Sequence, residues 1–187
     1  LLARNTKQSK IIPQYIYGCV TWNLKPAEYR KLRSAHHFFL LRCIGWKKRE
    51  RTDRPLSYAK ALITAGCNES VEATVRKRRL CFAGFVARMR DEKLPKIALL
   101  GELQGGARYL GGQEFDLLRR MQEDLEAFDM VDKKEGWEAS AKRADEWYDR
   151  IDEGARRFTD EWLKKEGDLS ETRRRKRERD AAERQAL

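Results

Sequence analysis

The sequence predicts a mainly α fold, an irregular helical bundle followed by a long amphipathic helix and a basic C-terminal helix. Three observations predict it. Four Pro and 12 Gly in 187 residues leave long stretches free of helix breakers, and Leu, Ala, Arg, Lys and Glu are abundant. Apolar residues recur at three- and four-residue steps, and no stretch alternates long enough to argue for a sheet. Cap residues and glycines stand where those periodic stretches begin and end. The division expected is an irregular segment 1–25, a helical domain 26–130, a long helix 131–166 and a basic tail helix 167–187.

Pro26 suits the first position of a helix, and Leu32, Ala35, Phe39, Leu40 and Cys43 follow on one stripe until Gly45 stops it. "KKRERTDRP" (47–55) reads as a basic loop. Ser57 caps a short helix ending at Gly66, and Ser70 caps the next. In that third helix Val71, Val75, Phe82, Val86 and Met89 fall on one stripe. Lys77 and Arg88 fall together opposite it, with Gly84 between them as a notch through which a phosphate backbone could approach. Arg78 and Arg79 lie at the stripe's borders, where their stems would cover the core and their heads reach water.

"GELQGGARYLGG" (101–112) is a glycine-punctuated loop without the order of a nucleotide-binding loop. A helix from about Gln113 to Phe128 is expected to bury Leu118, Met121 and Leu125. Then Trp137, Ala141, Ala144, Tyr148, Ile151, Ala155, Phe158 and Trp162 step by fours and threes, a seam that asks for a long partner surface. Aromatics at helical spacing read as core or interface before they read as base-stacking platforms. Gly167 is expected to break this helix, with Asp168 and Glu171 forming a capping box for a last one. That last segment, "ETRRRKRERDAAERQAL", has almost no apolar face. Alone in water it would fray, so an outside holder is expected, phosphate first and an acidic protein groove second.

The net charge of +11 is sorted along the chain. Residues 1–54 carry +10, 55–100 carry +5, 101–163 carry −7 and 164–187 carry +3. Sorted positive charge suggests a polyanion on one side. No apolar run reaches the length of a membrane span. Cys19, Cys43, Cys67 and Cys81 stand far apart with no CxxC pair, which favours free thiols in a reducing compartment over a zinc site. The chain opens at Leu1, and residues 1–16 hold Arg4, Lys7 and Lys10 without an acid, the pattern expected of a trimmed organelle-directed precursor. His36 reads as a structural histidine, because neither it nor His37 has an evident Ser, Cys or carboxylate partner.

Several pieces resemble, in the same order, the C-terminal region of non-LTR retrotransposon reverse transcriptases: "YGCVTW" (17–22), "SAHHFFLLRCIGW" (34–46), "RRLCFAGFVARM" (78–89), "LPKIALLGEL" (94–103) and "WEASAKRADEW" (137–147). The resemblance spans residue 15 to about residue 150 and implies a helical, nucleic-acid-contacting extension downstream of a polymerase palm. Departures matter too. The arginine-rich stretch that family carries after its GEL motif is replaced here by Ala107, Tyr109, Leu110 and Gly112, with Arg108 the sole cation. Apolar Phe38, Leu41, Cys81 and Phe85 replace polar family residues, as a protein partner or an enlarged core would favour. Nothing matches the paired-aspartate turn that holds the palm's catalytic metals, so no polymerase chemistry is expected of this chain.

These readings converge on a non-catalytic structural RNA-binding subunit of a large ribonucleoprotein, a ribosomal protein of retroelement origin, with a mitochondrial ribosome favoured. The expected phosphate contacts are Lys47, Lys48, Arg49, Arg51, Arg54, Arg76, Lys77, Arg88, Arg173, Arg174, Arg175, Lys176 and Arg177, holding RNA by backbone and shape. The expected contacts to neighbouring protein subunits are Trp137, Tyr148, Ile151, Phe158 and Trp162. No catalytic residue, metal, cofactor, membrane or small-molecule substrate is expected. Two alternatives stand beside this reading: the C-terminal region of an authentic reverse transcriptase, and a protein-only scaffold subunit of an organellar complex.

Overall fold

The computed structural model describes residues 14–48, 55–100, 117–131 and 136–185. Among these, every regular element is helical. A short 3-10 turn at Cys19–Thr21 precedes α1 (Pro26–Cys43), α2 (Tyr58–Ala65), α3 (Val71–Ala87), α4 (Leu94–Leu100), α5 (Leu117–Ala127), α6 (Trp137–Lys142) and α7 (Ala144–Gln185).

The first three helices begin and end on local chemistry. The Lys25 N–H donates to Glu28 Oε2 at 2.6 Å across the start of α1, where Pro26 has no N–H to satisfy. Ser57 Oγ accepts from the Lys60 N–H at 3.3 Å, and Ser70 Oγ accepts from the Ala73 N–H at 3.1 Å. Gly45 and Gly66 end α1 and α2 in left-handed conformation, with φ of 72° and 71°.

α3 is the central strut, and each of the other six helices but α2 packs along it. One core cluster joins Ala73, Leu80 and Ala87 of α3 to Leu125, Phe128, Met130, Ala141, Trp147, Ile151 and Ala155. A second joins Leu40 and Leu41 of α1 to Tyr58, Ala61, Leu62 and Ala65 of α2, with Trp162 of α7 packed on it. A third gathers Ile16, Cys19, Tyr29, Val71 and Val75. No helix among the described residues is long and apolar enough to cross a membrane.

Four local expectations are corrected. The seam from Trp137 does not continue in one phase, because Arg143 (φ −87°, ψ 86°) is non-helical and separates α6 from α7. The stripe on α7 therefore runs through Trp147, which is 1% exposed, while Tyr148 beside it is 39% exposed. Leu118 is exposed, and it is Asp124 that joins Met121 and Leu125 on the buried side of α5. Gly167 does not break the last helix. α7 runs through it for 42 residues, about 60 Å at 1.5 Å per residue. The tail is helical as the propagation of a helix whose first half is packed, so it needs no nucleus of its own. The expected basic loop at 49–54 and the glycine-punctuated stretch 101–112 lie outside the described residues.

Two glycines let α7 come close. A Cβ on Gly84 would stand 2.6 Å from Trp147 Cδ1, and one on Gly154 would stand 2.6 Å from Phe128 Cβ. With the indole lying on Gly84, Trp147 Nε1 donates to the Leu80 carbonyl at 3.2 Å, which satisfies its buried N–H.

Candidate nucleic-acid interface

The cations divide into two sets, those engaged within the chain and those left over. α3 holds the most deeply buried of the first set. Arg79 is 1% exposed, and its Nη1 lies 3.0 Å from Asp124 Oδ2, also 1% exposed, while its Nη2 donates to Tyr29 Oη at 3.3 Å. Arg79 is therefore a core residue, where the sequence suggested a head reaching water. Arg76 donates to Asp124 Oδ1 at 2.7 Å and to Glu72 Oε1 at 3.3 Å. Its guanidinium lies over the rings of Tyr29 and Phe158, 5.4 and 5.3 Å from their centroids. Burial pushes the Asp124 carboxyl up to about 6, against the pull of the Arg79 and Arg76 guanidiniums, so it remains ionised at neutral pH.

Lys77 bridges Glu69 at 2.8 Å and Asp152 at 2.9 Å, tying α3 to α7. Arg88 donates to the Ala141 carbonyl and to Tyr148 Oη, each at 2.7 Å. The notch imagined at Gly84 is occupied by the Trp147 indole and offers no approach to a phosphate. Arg76, Lys77 and Arg88 are thus used in holding α3 to α1, α5, α6 and α7.

The expected protein-contact residues meet a different surface from the one anticipated. Ile151 is buried in the main core cluster, Trp137 and Phe158 pack against that cluster, and Trp162 packs on the α1–α2 cluster. Trp162 also lies edge-on to Tyr58 at 5.4 Å, with the Arg33 guanidinium 5.0 Å from its centroid. The long partner surface the seam requires is the chain's own α1–α3. Tyr148 alone is largely exposed, with Arg88 across its ring at 5.1 Å.

The second set of cations makes no side-chain hydrogen bond or ion pair among the described residues. It comprises Arg30, Lys31 and Arg42 on α1, Lys47 and Lys48 after it, Lys60 on α2, Lys93 before α4, Lys142 at the end of α6, and Lys164, Lys165, Arg173, Lys176 and Arg177 on α7. The tail is therefore not one uniform cationic block. Arg175 pairs with Glu171 at 2.6 Å and Arg174 with Glu178 at 3.4 Å along the helix, while Arg173, Lys176 and Arg177 stand exposed and unpaired. Arg49, Arg51 and Arg54 lie outside the described residues.

Other chemistry is sparse. His36 is 3% exposed, and its Nδ1 shares a hydrogen bond with the Tyr58 hydroxyl at 2.8 Å, whose oxygen also accepts from the Val71 N–H at 3.2 Å. Burial, helped by neighbouring His37, holds the imidazole down at about 4, and burial raises the Tyr58 hydroxyl. This pair joins α1, α2 and α3. None of the four cysteines is in a disulfide. Among the described residues no three His, Cys, Asp or Glu side chains are grouped to hold a metal. Of the apolar departures from the family pattern, Leu41 is buried and Cys81 half-buried against the core, while Phe38 and Phe85 stand 63% and 55% exposed.

Sequence reasoning had no signal for Arg79–Asp124, since a buried ion pair leaves no periodic trace. Lys60, Lys164 and Lys165 were visible as cations, but only the pairing pattern sets them apart. The chain matches no protein-family model, no curated protein and no solved structure.

Proposed function

We propose that this chain is a non-catalytic RNA-binding subunit of a large ribonucleoprotein, held to RNA by phosphate contacts and repurposed from the C-terminal region of a non-LTR reverse transcriptase. The observation that carries the reading is the sorting of the cations. The body pairs Arg33, Arg76, Lys77 and Arg79 with Glu72, Asp124, Glu69 and Asp152, and Arg88 with a backbone carbonyl. The cations it leaves unpaired lie, apart from Lys93 and Lys142, on α1, α2, the residues between them and distal α7. Unpaired charge held on rigid helices positions a polyanion without reading its bases.

Exposed Phe38 and Phe85 fit a neighbouring protein subunit beside the RNA. The assembly class proposed is a mitochondrial ribosome. Ribonuclease digestion of the native assembly tests the reading. Release of the chain on digestion is the expected outcome, and retention in an intact protein complex would leave a protein-only scaffold in its place.

A further inference from the structure

The stripe that α7 buries continues beyond the core, and its chemistry changes there. Trp147, Ile151, Ala155, Phe158 and Trp162 step along the packed side by 4, 4, 3 and 4. The same 3.6-residue period leads next to Lys165, Leu169, Arg173 and Lys176. All four are exposed, and none of the three cations has an intrachain partner among the described residues. Arg174 and Arg175 lie off this line and are paired along the helix with Glu178 and Glu171. Along the tail, the cations in line with the core stripe are free, Lys164 and Arg177 are free off that line, and Arg174 and Arg175 are self-paired.

A groove of about 660 Å³ lies between α2 and α7, with Arg173 of the stripe on its wall. Its walls include Lys60 of α2 and, on α7, Gly167, Ser170, Arg173 and Arg174, with the acids Glu166 and Glu171 beside them. Gly167 and Ser170 keep the α7 wall low, and a Cβ on Gly167 would meet nothing within 4 Å. Unpaired Lys60 and Arg173 thus reach one groove from two elements.

Resting on the RNA-binding reading above, we propose that the distal half of α7 binds a sugar–phosphate strand along one face only, through Lys165, Arg173 and Lys176, with Lys60 as the facing contact across the groove. A protein groove would take this helix by apolar anchors at successive turns, and a membrane surface would need a wide apolar face. On this stripe Leu169 is the one apolar residue and the anchor positions are cations. Charge complementarity therefore favours a strand of phosphates.

The test titrates the full chain against a labelled oligouridine over a range of salt. Two variants remove equal charge: Arg173→Gln with Lys176→Gln, and Arg174→Gln with Arg175→Gln. Each phosphate contact contributes about 0.7 to the slope of log K against log salt on a single strand. The first variant is expected to lower the slope by about 1.4 and the affinity about tenfold or more. The second is expected to stay within about twofold, and Lys60→Gln to lower the slope by about 0.7. Circular dichroism checks that each variant keeps its helix content, and a variant that loses helix is replaced by the corresponding Lys substitution at its arginines, read as a geometry rather than a charge loss. Equal losses from both pairs would overturn the one-faced strand and leave RNA binding standing, since any cation would then serve. No binding by the unaltered chain would overturn the RNA reading itself. Displacement of oligouridine by polyglutamate at equal charge concentration would assign the face to an acidic protein and overturn the proposal.

Discussion

Replacing Asp124 tests whether the body consumes its own arginines. Asp124 and Arg79 are each 1% exposed and 3.0 Å apart, and Arg76 holds the other carboxylate oxygen at 2.7 Å. Asp124→Leu would leave the Arg79 guanidinium buried with Tyr29 Oη as its remaining hydrogen-bond acceptor, at 3.3 Å. Removing one member of a buried pair costs about 3–5 kcal/mol, because the surviving charge has lost both water and its counterion. Against a total stability on the order of 5–15 kcal/mol, that is a large share. Arg79→Met combined with Asp124→Leu removes both charges and should recover most of the loss, since a well-packed apolar pair of similar volume is often neutral. Arg76 keeps Glu72 in the double variant. Urea unfolding followed by circular dichroism at neutral pH gives the cycle, with an unchanged m-value required for the comparison. A loss under about 1 kcal/mol in Asp124→Leu, or no recovery in the double variant, would refute the account of α3 as an internally neutralised strut.

Three further outcomes follow from the packing. Gly84→Ala sets a methyl against the Trp147 indole and should destabilise the chain by about 1–3 kcal/mol, read as a lower urea midpoint. Gly167→Ala meets nothing within 4 Å, so if the helix is continuous it should gain about 1 kcal/mol of local helix stability, seen as slower amide exchange over 168–176. His36 gives a pH signature: its folded value near 4 lies below the ordinary 6.5, so the unfolded chain takes up a proton that the folded chain refuses. Stability linked to His36 is complete above pH 6.5 and falls as pH drops from there towards 4, by about 3 kcal/mol in all. Asp124, raised to about 6, works in the opposite direction between about pH 6 and 4, in the wild type and in His36→Gln alike. The difference between those two proteins across pH 7 to 4 isolates the histidine, and a flat difference would show that the imidazole titrates normally.

The first three helices were legible in the sequence because their ends are written locally, in Pro26 and Gly45, Ser57 and Gly66, and Ser70. What could not be read depended on residues distant in sequence. Asp124 is buried because Arg76 and Arg79, on another helix, meet it there. Arg143 leaves the helical region between two stretches of equal propensity, which shifts the phase of the stripe and brings Trp147 inward in place of Tyr148. Gly167 looked like a break because glycine weakens a helix, yet about 1 kcal/mol does not stop a helix already anchored by Trp147, Ile151 and Trp162. For the interface, cationic composition showed that a basic surface exists. Only the partners of each side chain separate Arg76, Lys77 and Arg88, engaged in the fold, from Arg173, Lys176 and Arg177, which are not.

The most direct measurement of the central claim is the salt dependence of RNA binding by the unaltered chain. Lys60, Lys165, Arg173, Lys176 and Arg177 acting together on a single strand give a slope of log K against log salt of about −3.5. A slope in that region, reduced stepwise as those side chains are removed, is the predicted result. A slope near zero, or one that responds to loss of Arg76 or Lys77 more than to loss of Arg173 or Lys176, would contradict it.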